Sequence, residues 1–141
     1  MSADLRILSL GAGVQSSTLA LMIEKGEIPM VDYALFSDTG SEPAKVYEWL
    51  DWLTKQLSYP VNIVSAGSLK EGMIKSNEGT YVRGSTVPMY VRHKVTGKKG
   101  ILRRMCTATY KIEPVTKEIR RLLGVGYKQR SENESISISL Y

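Results

Sequence analysis

Between Leu5 and Lys25 the chain runs from a short apolar stretch, Leu5–Leu10, through Gly11-Ala12-Gly13 into Ser16–Lys25, which is apolar almost all round (Leu19, Ala20, Leu21, Met22, Ile23). That succession predicts a strand, a glycine turn and a buried helix. Gly26 falls where a helix C-terminal glycine belongs, and Asp32–Phe36 supplies a second apolar strand that runs into Ser37-Asp38-Thr39-Gly40. The connection length fits one βαβ crossover.

The alternation continues. Ser41-Glu42-Pro43 reads as a helix start with a capping hydroxyl and an early proline, and Val46, Trp49, Leu50, Leu53 and Leu57 follow at three- and four-residue spacing. Val61–Ser65 is a third apolar strand, and Ser68–Ser76 a helical stretch opened by another cap. Strands alternating with helices predict an α/β domain with a parallel, doubly wound sheet. After Gly79 the pattern changes to a basic β-hairpin insertion spanning about residues 79–105, with arms Val87–Arg92 and Gly100–Arg104 around Thr96–Lys99. Glu113-Pro114 then opens a last helix, Val115–Leu123, closed by Gly124, and Ser135–Leu140 reads as a final strand.

A chain of 141 residues with 43% hydrophobic content is expected to fold as a single domain, residues 1–141, around one core. No apolar run approaches the ~20 residues of a membrane span, so neither a membrane protein nor a secretory signal is expected. Cys106 is the only cysteine and His93 the only histidine, which excludes an internal disulfide and the usual four-ligand zinc site. A reducing cytoplasm is the expected compartment. The net charge of +5 is unevenly placed: Gly79–Ile112 holds eight Lys/Arg and no Asp or Glu, whereas the remainder holds 11 basic and 14 acidic residues. Local potential steers ligands, so the basic segment favours an anionic partner, with a merely solvated hairpin as the other reading.

Three stretches carry candidate chemistry. Ser9–Ser17 places a glycine turn between strand and helix, where backbone N–H groups can approach a phosphate and the Ser16 and Ser17 hydroxyls can add donors. No lysine follows these glycines, so this is not the Gly-Lys-Ser/Thr P-loop. A dinucleotide fold stays open, with Asp38 as the ribose-binding acid and Ser16 where the third glycine would stand. Asp38-Thr39-Gly40-Ser41-Glu42 ends the second strand beside the first turn, where doubly wound sheets bind ligands; turn-making and helix-start roles are the alternatives. Arg103-Arg104-Met105-Cys106 through Lys111 and Pro114 brings two arginines, a thiol and a lysine ahead of a helix. Arginine forks and lysine bind phosphate or sulfate, and cations beside a thiol favour its thiolate, although a lone cysteine also serves as a small buried apolar side chain.

Together the three stretches resemble the phosphoadenylyl-sulfate (PAPS) reductase family of the PP-loop adenine-nucleotide alpha hydrolase group, in particular reductase-like proteins encoded by phages and prophages. Ser9–Ser17 is similar to the PP-loop, Phe36–Glu42 to the F-x-D-T-G-x-E segment, and Cys106–Pro114 to the C-C-x-x-R-K-x-x-P segment. The resemblance spans roughly residues 5–123. It implies a Rossmann-like parallel sheet of about five strands, adenosine across the strand ends, phosphates on the PP-loop, and basic residues on the sulfate or 3′-phosphate. Gln15 stands where ATP-cleaving relatives carry aspartate, which removes a carboxylate for Mg²⁺ and leaves the Mg²⁺ requirement open. Thr107 and Tyr110 replace the second cysteine and the arginine of the third segment, so no iron–sulfur cluster is expected. The family's C-terminal cysteine motif has no counterpart after Cys106, and Ser135–Tyr141 reads as an internal strand of a longer relative.

The resulting expectation is a domain that binds an adenine nucleotide (PAPS, APS or ATP). Ser9, Gly11, Gly13, Gln15, Ser16 and Ser17 would form the phosphate loop. Asp38, Thr39, Gly40 and Glu42 would lie near the ribose or a second phosphate, and Arg103, Arg104 and Lys111 would form an anion clamp. The resemblance implies thiol-dependent reduction of a sulfonucleotide, with Cys106 as nucleophile, thioredoxin or glutathione as electron donor, and a homodimer as one assembly state. Two rivals stay open: a nucleic-acid-binding module that uses the hairpin Arg83–Arg104, with Tyr81 and Tyr90 among its charges, and an ATP-dependent sulfur or adenylate transferase acting on a nucleobase or tRNA.

Overall fold

The computed structural model describes residues 5–80, 89–101 and 105–125 and the backbone of 138–140. Strands and helices alternate through β1 (Leu5–Ser9), α1 (Val14–Glu24), β2 (Tyr33–Asp38), α2 (Ala44–Gln56), β3 (Val61–Ser65) and α3 (Leu69–Asn77). A ribbon of β4 (Tyr90–Arg92) and β5 (Lys99–Ile101) follows. A π-helical turn, Ala108–Ile112, then runs directly into α4 (Glu113–Leu122), and β6 (Ile138–Leu140) comes last.

The main sheet is parallel and ordered β3-β2-β1-β6. From β1 the chain steps outward to β2 and β3 and later returns to the opposite side of β1, so its winding reverses beside that strand. Doubly wound sheets open a ligand crevice outside the carboxyl ends of the strands at such a point.

Strand alternation sends successive side chains to opposite faces. Leu8, Leu10, Ala34 and Phe36 pack with Ala20 and Ile23 of α1 and Leu50 and Leu53 of α2. Ile7 and Leu35, of the other parity, pack with Ile119, Val115 and Leu122 of α4. With helices on both faces, β1 and β2 must be apolar at every central position, which is why they read as continuous runs. The helix ends follow local chemistry. Gly26 (φ 76) closes α1 through Gly26 N–H to Ile23 O and Glu27 N–H to Met22 O, and Gly124 (φ 67) closes α4 in the same way. Ser68 caps α3 by accepting the Glu71 N–H.

Several expectations need correction. The main sheet has four parallel strands among the described residues, not about five, because β4 and β5 pair only with each other, antiparallel. Among the described residues β4 and β5 cover the inner part of the predicted hairpin, whose residues 81–88 and 102–104 lie outside the described set. Ser41 does not cap α2, whose N-cap is Pro43; its hydroxyl instead accepts the Lys70 N–H at 3.1 Å, at the start of α3. The last helix begins two residues earlier than predicted, at Glu113, and continues a π-helical turn over Ala108–Ile112 for which the sequence predicts no element. Among the described residues no helix is long and apolar enough to cross a membrane.

The edge strand β3 is tied to α4 by polar groups. Asn62 Nδ2 donates to Glu118 Oε1 at 3.1 Å, and Arg121 donates to both carboxylate oxygens at 2.8 and 2.6 Å. The Arg121 hydrogen bond, reinforced by its charge and by Asn62, holds the Glu118 carboxyl below the usual range against the opposing effect of burial. A carboxyl depressed in the folded state stabilises the protein above its unfolded pKa, and that contribution is lost as pH falls through the folded value. Urea midpoints measured from pH 6 to pH 3 are therefore expected to fall less steeply for Glu118→Gln than for the parent.

Candidate functional site

Pro114 determines the local geometry of the site. It has no N–H to donate to the carbonyl four residues back, that of Tyr110, so an α-helix cannot pass through it with every bond made. The chain widens instead into the π-helical turn, with Glu113 N–H bonded to Ala108 O. The carbonyl that Pro114 leaves open is taken by Ser37, whose hydroxyl donates to Tyr110 O at 2.6 Å from the end of β2. Tyr110 is buried. The start of α4 is thereby fastened over the carboxyl ends of the sheet.

Beneath this roof is a cavity of about 300 Å³. Ser9 borders it from β1 and Gly11 from the turn that follows, Phe36 and Ser37 from β2, and Ile112, Val115, Thr116 and Ile119 from the roof. Glu42 and Lys111 also line it, and Lys111 Nζ lies 3.5 Å from Glu42 Oε1. The Thr39 hydroxyl donates to the same Glu42 oxygen at 3.2 Å. Apolar walls with a few converging polar groups are the usual make-up of a small-molecule site, and the volume is at the small end of the ~300–1,000 Å³ such sites occupy.

The glycine turn reaches this cavity through its first residues. Its left-handed residue is Ala12 (φ 54), not a glycine, whereas Gly13 is extended (φ −85, ψ 175). A Cβ built on Gly13 would meet nothing within 4 Å, so the fold itself does not require glycine there. The first helical bond of α1 is Ser17 N–H to Gly13 O at 3.0 Å, and Gly13 offers no side chain to cap the amides of Val14, Gln15 and Ser16. Val14 is 85% exposed. These amides form a positive helix end open to solvent.

The two serines are engaged elsewhere. Ser16 Oγ accepts the Gly11 N–H at 3.1 Å and donates to Gly13 O at 3.4 Å, which folds the loop onto itself. Ser17 is buried, and its Oγ accepts the Trp49 indole N–H at 2.9 Å, joining α1 to α2. The donors this junction presents are the backbone amides of the α1 first turn, while the Ser16 hydroxyl donates within the loop and the Ser17 oxygen accepts from Trp49.

The segment after β2 is a fastener. Asp38 Oδ1 accepts Gly40 N–H at 2.8 Å and the Tyr47 hydroxyl at 2.7 Å, and the hydrogen bond to this carboxylate raises the Tyr47 pKa. Thr39 O accepts Leu69 N–H at 2.9 Å. Gly40 has φ 64, and a Cβ there would lie 3.1 Å from Ser68 Cα, so glycine is required both by conformation and by space.

Of the predicted site residues, Ser9, Gly11, Glu42 and Lys111 meet at the cavity, while Gly13 and Gln15 sit at the adjoining helix end. Asp38, Thr39 and Gly40 position the loop. Cys106 is a half-buried free thiol that does not line the cavity. Arg103 and Arg104 lie outside the described residues. The sequence reading missed Ser37 and the roof residues Val115 and Thr116; the available signal was a proline four residues after Tyr110. Among the described residues no group of three or more His, Cys, Asp or Glu gathers to hold a metal ion.

The Ser37–Tyr110–Pro114 relation is open to a double-mutant cycle followed by chemical denaturation. Ser37→Ala is expected to cost about 1–2 kcal/mol by leaving a buried carbonyl unsatisfied. In a Pro114→Ala background the new amide can take that carbonyl, so the same serine change should cost about 1 kcal/mol less. Equal costs in both backgrounds would contradict the coupling.

No protein-family model, curated protein or solved structure gives a significant match to the chain.

Proposed function

We propose that this domain binds an adenine nucleotide across the carboxyl ends of β1 and β2, with adenosine in the roofed cavity and phosphate at the first turn of α1. The observation that carries this reading is the cavity itself: about 300 Å³, largely apolar, at the point where the winding reverses, and bordered by Gly11 of the turn that leads into an uncapped helix N-terminus. The likeness of Ser9–Ser17 to the PP-loop and of Phe36–Glu42 to the F-x-D-T-G-x-E segment supports the same ligand class. Lys111 is held against Glu42, and a nucleotide phosphate or sulfate would compete for that ammonium. The geometry favours binding over the sulfonucleotide reduction that the resemblance implies, because the Cys106 thiol lies outside the cavity lining. A single free thiol suits a reducing cytoplasm.

Thermal-shift and calorimetric titrations with ATP, AMP, PAPS and adenosine 3′,5′-bisphosphate test the proposal. A ligand at 100 times its Kd should stabilise the native state by about 2.7 kcal/mol and raise Tm by several degrees. Gly13→Ala, which the free fold accommodates, should leave the unliganded stability within about 1 kcal/mol of the parent yet weaken binding at least tenfold by crowding the approach to the amides. Thr116→Trp, made on an exposed roof position, should fill the cavity with the same effect. Cys106→Ser should bind as the parent does. If no nucleotide shifts Tm at millimolar concentration, or if both filling variants titrate like the parent, the assignment fails.

A further inference from the structure

The basic ribbon is a second feature with a chemistry of its own. β4 and β5 pair antiparallel in the register Tyr90 opposite Ile101, Val91 opposite Gly100 and Arg92 opposite Lys99. Directly opposed residues share a face, and alternate residues on a strand share it too, so Tyr90, Ile101, Arg92 and Lys99 occupy one side of the ribbon. The connecting turn is built rather than loose: His93 N–H bonds Lys98 O at 2.9 Å, Gly97 N–H bonds His93 O at 2.9 Å, and Thr96 N–H reaches His93 Nδ1 at 3.2 Å. Every residue from Met89 to Ile101 is exposed, Tyr90 at 87%.

Placing Arg92 directly across from Lys99 is unfavourable by itself, since like charges at opposed positions repel. Nothing on the ribbon relieves it. Among the described residues no carboxylate lies within ion-pair distance of Arg92, Lys94, Lys98 or Lys99, and residues 79–112 contain no acid. A polyanion would relieve the repulsion. The aromatic and the cations lie on the same face, which suits a strand of nucleotides with phosphates on the cations and an unpaired base on the ring. A lipid surface calls for the opposite arrangement, with apolar and charged side chains on separate faces.

We propose that the β4–β5 ribbon binds single-stranded nucleic acid, with Arg92 and Lys99 on backbone phosphates and Tyr90 stacked on a base. None of these residues lines the nucleotide cavity.

Fluorescence anisotropy of a 5′-fluorescein-labelled (dT)20 oligonucleotide, titrated with the full 141-residue chain at a series of KCl concentrations, tests it. Each phosphate contact adds about 0.7 to the slope of log K against log salt for a single strand, so the Arg92→Ala/Lys99→Ala double variant should flatten the slope by about 1.4. Tyr90→Ala should weaken binding at least about fivefold at fixed salt, and Tyr90→Trp should restore it. Melting temperatures and cavity-ligand titrations of all variants should equal the parent's, which separates failure here from failure of the cavity assignment. The proposal is overturned by a parent that does not bind the oligonucleotide, by a double variant with the parent's slope, or by Tyr90→Ala binding as tightly as the parent. It is equally overturned if a blunt duplex or phosphatidylglycerol vesicles bind as well as the single strand.

Discussion

A single missing hydrogen-bond donor shapes the upper side of this domain. Pro114 cannot supply the N–H that Tyr110 O would receive in a regular helix, and the Ser37 hydroxyl supplies one from the end of β2. The same substitution of partners has three consequences. The helix widens by a residue, α4 is pinned across the strand ends, and a space is left between the widened turn and the sheet. A regular helix through this position would carry its own donor for Tyr110 O. The cavity is thus a product of helix chemistry before it is a property of any ligand.

Two of the helix N-termini beside the sheet ends, those of α1 and α3, differ in a way that local sequence explains. At α3, the Leu69, Lys70 and Glu71 amides are taken by Thr39 O, Ser41 Oγ and Ser68 Oγ. Gly40, bent to φ 64 against Ser68, brings the first two acceptors into place. At α1 the N-cap is a glycine, and no side chain answers the first-turn amides. The positive end of α3 is neutralised by protein, and the positive end of α1 is left facing solvent next to the cavity. The start of α2, behind Pro43, likewise carries no side-chain cap, but only the turn before α1 has a residue, Gly11, among those lining the cavity.

Much of this was legible in the sequence where a signal is local. The βαβ alternation, the closing glycines Gly26 and Gly124, and the Ser68 cap depend on neighbours within a few residues, and each was read correctly. The errors fall where partners are distant or where two roles compete for one side chain. Ser41 carries the signature of a cap for the helix that follows it, yet it caps α3, 29 residues further on. Ser17 follows a glycine turn and reads as a phosphate donor, and the turn carries no sign that its oxygen also accepts the indole N–H of Trp49, 32 residues away on α2. Asp38 looks like a ligand-binding acid at a strand end and spends one oxygen on Gly40 and Tyr47. Serine, threonine and aspartate bond to backbone as readily as to ligands, and only the fold decides between them.

The chain's positive charge therefore acts through two different physical devices. At α1 it is carried by peptide dipoles of a solvent-facing helix end, where the donors are fixed by the helix and lose little freedom on binding. On the ribbon it is carried by exposed lysine and arginine side chains, which are screened within about 8 Å at physiological ionic strength and must be ordered to make contact. The first device suits a small anion held with defined orientation, the second a long flexible polyanion held by many weak contacts. Of the eight cations in residues 79–112, Arg92, Lys94, Lys98 and Lys99 stand on the ribbon and its turn, whereas Lys111 lines the cavity against Glu42, so the local potential of this segment is shared between the two places.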